Sequence, residues 1–218
     1  MNKWLIRRAR GAKGRSRREG RTFTIANVMT NPILTRTIPS TGEPIPAIGL
    51  GTWQTFLVDV ETHLKTLRRW KQDGRIRYIG VTHYRADAQD AVADLIATEP
   101  VDFVQINYSA SEREAEKRLL PLAMDRGIAV IANRPLAAGN LARQLSAQPL
   151  PAWAKEIACE NWPQILLKFV IAHPAIACAI PGTSKPAHLH DNMKAASGPL
   201  PGEKLRALIA AAVHGSGI

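Results

Sequence analysis

Residues 103–132 read FVQINYSASEREAEKRLLPLAMDRGIAVIA, and the order of patterns within them decides the fold class. Phe103 to Asn107 is short, with β-branched Val104 and Ile106 on either side of Gln105, and reads as a strand. Ser111 and Glu114 stand at capping-box spacing and predict a helix that runs through Leu119, Leu120 and Ala123 on one face and closes at Gly127. Ile128 to Ala132 is a second apolar strand. Two buried strands separated by a helix can pair side by side only through a crossover, so they run parallel.

Working outward, the same unit recurs. Toward the N-terminus, Asp59 to Lys71 carries Val60, Leu64, Leu67 and Trp70 at helical period, with Gly74 as its stop. Tyr78 to Val81 reads as a strand, and Ala86 to Ala97 as a helix with Ala88, Val92, Leu95 and Ile96 on one face. Toward the C-terminus, Pro135 to Pro151 reads as a loop, and Pro163 opens a helix burying Ile165, Leu166, Phe169 and Val170. Ala175 to Ile180 is the last strand, and Pro186 to Ala196 starts the closing helix. Ahead of all this, Ile38 to Pro46 is a Pro/Gly-punctuated hairpin with its turn at Thr41-Gly42, and Ala47 to Trp53 is a buried strand. The sum is about five parallel strands, too few for an eightfold barrel of about 250 residues.

The 218 residues suit one core. Charge is uneven: nine Lys and Arg against the single Glu19 put the first 21 residues at +8 of the chain's formal +11. Residues 1–32 therefore read as a disordered basic tail, and 33–218 as the folded body. Arg7-Arg8 lacks the apolar run of an export signal. A transit peptide and a start at Met29 are the other readings of this tail; a specific nucleic-acid or membrane role is not expected of it. Cys159 and Cys178 lie in apolar surroundings without metal or disulfide spacing, as in a reduced, cytoplasmic protein. No run is long enough to cross a membrane. His188 and His190, two apart on a helix, face different sides and predict no metal site.

The segment Ile38-Pro-Ser-Thr-Gly-Glu-Pro-Ile-Pro-Ala-Ile-Gly-Leu-Gly-Thr-Trp53 resembles the opening hairpin and first barrel strand of aldo/keto reductases. Gly74-Arg-Ile-Arg-Tyr-Ile-Gly-Val-Thr-His83 is similar to that family's fourth helix and fifth strand. Val104 to Tyr108 resembles the sixth strand, Ala132 to Leu136 the seventh, and Ile180 to Pro186 with Asn192 the eighth strand and its cofactor loop. The resemblance implies a TIM-type barrel and a nicotinamide cofactor, NADP with NAD as the alternative. It implies that Thr82, His83 and Gln105 hold the carboxamide, and that Asn133 stands where many members stack a tyrosine on the ring. Pro135, Leu136 and Gly139 would face the pyrophosphate, and Thr183, Ser184, Lys185 and Asn192 the adenosine phosphate and base. Trp53 would line the substrate pocket. Gly182 and His188 depart from the Lys and Arg of NADP-preferring members, which implies weak or residual binding.

The family reduces carbonyls with an Asp-Tyr-Lys-His set at the ends of its second to fourth strands. Here Gln54-Thr55-Phe56 runs directly into Leu57-Val58-Asp59, which resembles the start of the fourth helix, so about 90 residues at ~31 per unit are missing. None of the three tyrosines, Tyr78, Tyr84 and Tyr108, has the expected surroundings. His83 beside Tyr84 is the remaining acid candidate. The expectation is an internally deleted aldo/keto reductase with an incomplete barrel, impaired or inactive in carbonyl reduction. The alternative is a non-catalytic remnant or interaction protein that self-associates through open sheet edges.

Overall fold

The computed structural model describes residues 34–46 and 60–215. Strands β1 (Thr35–Thr37) and β2 (Pro44–Pro46) form the antiparallel hairpin. Helix α1 (Val60–Gln72) leads to β3 (Gly80–Thr82), α2 (Gln89–Thr98), β4 (Phe103–Asn107), α3 (Leu119–Asp125), β5 (Ala129–Asn133), α4 (Asn140–Leu145), α5 (Trp162–Ile171), β6 (Ile176–Ala179), α6 (Pro186–Lys194) and α7 (Glu203–Gly215). The sheet order is β3-β4-β5-β6, all parallel. This is a partial (β/α) barrel with an N-terminal antiparallel hairpin, as the alternation of strands and helices predicts. The fifth strand expected at Ala47 to Trp53, the basic tail and the Phe56–Leu57 junction lie outside the described residues.

The hairpin closes the N-terminal end of the sheet. Ile38 is buried against Ala129 and Ala177, with Ile45, Tyr78 and Phe103 packed around them. Asp102, ahead of β4, ties these parts together: it accepts hydrogen bonds from the Ile79 amide at 2.8 Å, from Lys71 Nζ at 2.7 Å and from Ser40 Oγ at 3.3 Å. Gly80 lets β3 approach β4, since a Cβ there would sit 3.0 Å from both Cβ and O of Phe103.

Several expectations need correction. Ser111 and Glu114 do not form the capping box. Ser109 Oγ instead accepts from the Ser111 and Glu112 amides, a 3₁₀ turn spans Glu114–Glu116, and the α-helix starts at Leu119. Ser109 thus closes a turn ahead of the helix, and neither the 3₁₀ turn nor the α-helix has a side-chain cap. Pro135 to Pro151 is not a bare loop: it holds α4, which packs Leu141 and Leu145 into the core. The closing helix is two helices, α6 and α7, separated by the segment 195–202. Strand β3 starts at Gly80, because Tyr78 is turned to Glu43 on the hairpin. Gly127 ends α3 in the left-handed conformation (φ 64°), as expected.

Helix α5 is the hub of the helical layer. Asn161 caps it by accepting from the Gln164 amide at 3.0 Å, and Trp162 together with Gln164 to Ile171 is buried. Even Lys168 is fully buried, its ammonium donating to the carbonyls of Ser197 and Pro199 at 2.5 and 2.8 Å. That bond pins the connection between α6 and α7. Cys159 and Cys178 are free and buried, with thiols pushed up to about 11 and about 12 by burial.

Candidate functional site

Polar side chains gather where the strands end. In the parallel register Thr82 lies beside Gln105, and Asn107 beside Asn133; register partners in a parallel pair point to one face. All four are at least nine-tenths buried. The His83 amide continues the ladder by donating to the Gln105 carbonyl at 3.0 Å. Asn133 Nδ2 reaches back across β4 to donate to the His83 carbonyl at 3.4 Å. Thr82, His83, Gln105 and Asn133, which the resemblance groups around the nicotinamide, thus lie in one cluster.

Beyond His83 strand β3 ends, and the next β4 carbonyl, that of Asn107, has lost its ladder partner. Gln89 in the first turn of α2 supplies the donor, Nε2 to the Asn107 carbonyl at 3.1 Å. Sequence reading missed both residues. The available signal was that Gln89, Val92, Ala93 and Ile96 share the buried stripe of α2, so a glutamine there needs an internal partner. The oxygens Oε1 of Gln89 and Gln105 and Oδ1 of Asn107 and Asn133 are buried without a hydrogen-bond partner.

The His83 ring stacks on Tyr84, centroids 5.7 Å apart, and its Nδ1 accepts from the Arg85 amide at 3.0 Å. Burial holds the imidazole below its usual pKa of 6.5, so it is neutral at pH 7.

The segment after β5 is strained. Arg134, Ala137 and Ala138 all have positive φ (48°, 48° and 56°), followed by Gly139 at 86°. Left-handed residues other than glycine or asparagine concentrate where a backbone is held for a purpose. Pro135 is buried there and Leu136 half-buried. Further along, Thr183 Oγ1 accepts from the Lys185 amide at 3.2 Å, Ser184 and Lys185 are exposed, and Lys185 precedes the first turn of α6. Asn192 is buried on the same helix. Asp191 fixes that helix on α5, accepting from Asn161 Nδ2 at 2.6 Å and Gln164 Nε2 at 2.8 Å. The sheet order therefore sets the groups in line: Thr82 and His83 at β3, Gln105 at β4, Asn133 and Pro135 at β5, Thr183 to Lys185 beyond β6. Three inter-strand steps of about 4.8 Å give this line a length of about 14 Å. Trp53 lies outside the described residues.

The tyrosines separate cleanly. Tyr78 is engaged by Glu43 and the hairpin. Tyr84 is exposed beside His83. Tyr108 is fully buried, donates to Glu116 Oε1 at 2.5 Å and accepts from Arg206 Nη2 at 2.6 Å. Burial and the Glu116 carboxylate raise its pKa far above the ordinary phenol value, which removes it as a proton donor. Among the described residues no three His, Cys, Asp or Glu side chains gather as a metal site, and no helix is long and apolar enough to cross a membrane.

A parallel sheet flanked by helices, with its polar residues at the C-terminal strand ends, is the arrangement of barrel enzymes. Comparison with known proteins makes it specific. The Aldo/keto reductase family model matches residues 51–212, and the chain belongs to that family. It is 32% identical over 151 residues to an uncharacterized oxidoreductase of Schizosaccharomyces pombe, covering 66% of this chain and 46% of that protein. It is 30% identical over 106 residues to the NADH-specific methylglyoxal reductase of Escherichia coli, covering 47% and 32%. An aldo-keto reductase from Klebsiella pneumoniae in complex with NADPH superposes with a TM-score of 0.57 at 24% identity, over 77% of this chain and 58% of that one. The apo form of an aldo-keto reductase from Bacillus halodurans gives 0.56 at 19%, over 73% and 59%. The chain spans half or less of the length of these curated relatives.

Proposed function

We propose that the chain binds a nicotinamide dinucleotide, NADP(H) with NAD(H) as the alternative, across the C-terminal ends of β3 to β6, and does not reduce carbonyls by itself. The observation that carries the binding reading is the clustering of Thr82, His83, Gln105 and Asn133 in line with the strained Arg134–Gly139 segment and Thr183 to Lys185. The residues suit the group chemically. The amide side chains of Gln105 and Asn133, gathered at the strand ends beside Thr82 and His83, are of the chemistry that pairs with a carboxamide. The left-handed backbone around Pro135, Leu136 and Gly139 suits a pyrophosphate, and Thr183, Ser184 and Lys185 ahead of α6 suit a further phosphate, with Asn192 toward the base.

The cofactor, when bound, supplies a hydride. Carbonyl reduction also needs a proton at the carbonyl oxygen. Tyr108 is locked in its bond to Glu116, Tyr78 lies at the opposite end of the sheet, and neutral His83 is left as a weak donor. The residues that resembling enzymes use for this step would fall between Phe56 and Leu57, where the sequence has none. Trp53 is proposed to line the mouth beside the nicotinamide. Residues 1–32 are proposed to be a basic tail outside the folded body, so trypsin should remove them first.

Titration of NADPH fluorescence with the full chain tests the binding half: a saturable change is expected, and none would overturn it. Incubation with NADPH and an aldehyde tests the other half. Loss of absorbance at the reduced-nicotinamide band with product alcohol formed would show that activity survives.

A further inference from the structure

We infer that Tyr84, with the His83 ring against it, supplies the aromatic surface on which the nicotinamide ring stacks; this rests on the cofactor reading above. The polar cluster at the strand ends accounts for one edge of that ring only. Thr82, Gln105 and Asn133 bring a hydroxyl and two amides, which hydrogen-bond a carboxamide and leave the flat faces of the ring uncovered.

Tyr84 is placed by its neighbours. His83, the residue before it, is anchored toward both adjoining strands: its amide donates to the Gln105 carbonyl at 3.0 Å, and its carbonyl accepts from Asn133 Nδ2 at 3.4 Å. Tyr84 therefore starts one residue beyond the cluster. The phenol lies parallel to the His83 ring, with 6° between the planes and 5.7 Å between centroids. That separation exceeds the ~3.5–4.0 Å of carbon atoms in contact, so the two rings are offset, an arrangement that aromatic pairs favour. The imidazole is itself fixed, its Nδ1 accepting from the Arg85 amide at 3.0 Å. The charge of Arg85 is answered by Asp87, Nε donating to Oδ1 at 2.9 Å.

Tyr84 also has surface to offer. It is 40% exposed, whereas every other aromatic side chain among the described residues is buried or half-buried. A planar ring laid against it removes apolar area of both partners from water and adds the ring–ring attraction. The stack sets the nicotinamide half of the dinucleotide at the β3 end of the line, and leaves the adenosine half to Thr183, Ser184 and Lys185 beyond β6.

The test measures, by calorimetry on the full chain, affinities for NADP+ and for its phosphorylated adenosine half alone; NAD+ and adenosine diphosphate replace them if only NAD+ binds. Tyr84→Leu, checked for a native circular-dichroism spectrum, should lose about three- to tenfold in affinity for the whole dinucleotide, the scale of one aromatic stack. Its affinity for the adenosine half should stay at the wild-type value, whereas a purely structural role would weaken both ligands alike. Tyr84→Trp gives a second readout. Indole donates electrons more readily than phenol, so an oxidised nicotinamide stacked on it should add a charge-transfer absorbance on the long-wavelength side of the protein band. Should the leucine variant fail to fold, that band decides alone. Unchanged dinucleotide affinity in Tyr84→Leu, an equal loss for both ligands, or no new band in Tyr84→Trp with dinucleotide bound overturns the stack while leaving the cofactor reading intact. Binding of neither dinucleotide by the wild type overturns both.

Discussion

Tyr108 shows how a residue that looks available in sequence is consumed by structure. Its ring packs on Phe169 (centroids 6.1 Å) and edge-on to His173 (5.7 Å), while its hydroxyl joins Glu116 to Arg206. Arg113 completes the group with bonds to Glu116 Oε2 at 2.6 and 3.0 Å. Tyr108→Phe keeps the packing and removes the hydroxyl, leaving a partly buried carboxylate and guanidinium short of one partner. The expected cost is about 1–2 kcal/mol, read from the urea midpoint at unchanged slope. The same cluster sets a pH response. Burial, then the nearby Arg206 charge, holds His173 below its ordinary value of 6.5, so the unfolded chain takes up its proton first as pH falls. Stability is kept above pH 6.5 and declines below it. For Glu116 burial pushes upward, but the hydrogen bonds from Arg113 and Tyr108 outweigh it and the pKa ends below the ordinary 4.5. A second loss therefore follows only in stronger acid, below that value. Melting temperatures of the wild type and His173→Gln across pH 4–8 should diverge in the upper window alone; parallel curves there would exclude His173.

Between elements, Asp102 is the joint on which the lower end of the sheet depends. It links the hairpin through Ser40, α1 through Lys71 and β3 through the Ile79 amide. Asp102→Ala leaves the Ile79 amide without its partner, while the half-exposed Lys71 turns to water, with an expected loss of about 1–3 kcal/mol and faster hydrogen exchange in the hairpin. A loss below about 0.5 kcal/mol would show that the joint is dispensable. The opposite sign is expected in the strained segment after β5. Ala138→Gly removes a left-handed alanine (φ 56°) and should be neutral or stabilising by up to about 1 kcal/mol in the same denaturation assay. These two elements also mark what could be read in advance. The strands at β4 and β5 and helices α1, α2 and α5 follow from period and composition, because apolar burial dictates them. Thr82, Gln105 and Asn133 were legible as a set only through resemblance, since nothing local says that three strand ends converge. Helix α4 was not legible: Asn140 to Leu145 is a short stretch between Gly and Ser, with only Leu141 and Leu145 on its apolar side, and tertiary packing rather than propensity makes it helical. The Ser109 turn hid for a related reason, because Ser111 offered the same chemistry at a better-known spacing.

At the scale of the molecule, the sheet has two ends. Among the described residues β3 pairs only with β4, and β6 pairs only with β5 while packing against the hairpin. In a closed barrel such edges do not exist. The β3 edge is short, three residues with two of them buried, which limits its reach as a template. The inner face behind it also carries Thr82 and Gln105, polar groups that resist apolar aggregation. These features favour a limited, reversible association of two copies over open-ended growth, since a paired edge is no longer available to a third chain. Sedimentation of the full chain over micromolar to hundred-micromolar concentrations should therefore show a monomer–dimer equilibrium, without larger species. Saturation with NADP+ at the same concentrations separates two cases. If the dimer forms at the β3 edge, beside His83, ligand and partner compete for the mouth and the dimer fraction should fall. If the dimer forms elsewhere, the fraction should not change, and a monomer throughout would show that the edge is already satisfied within one chain.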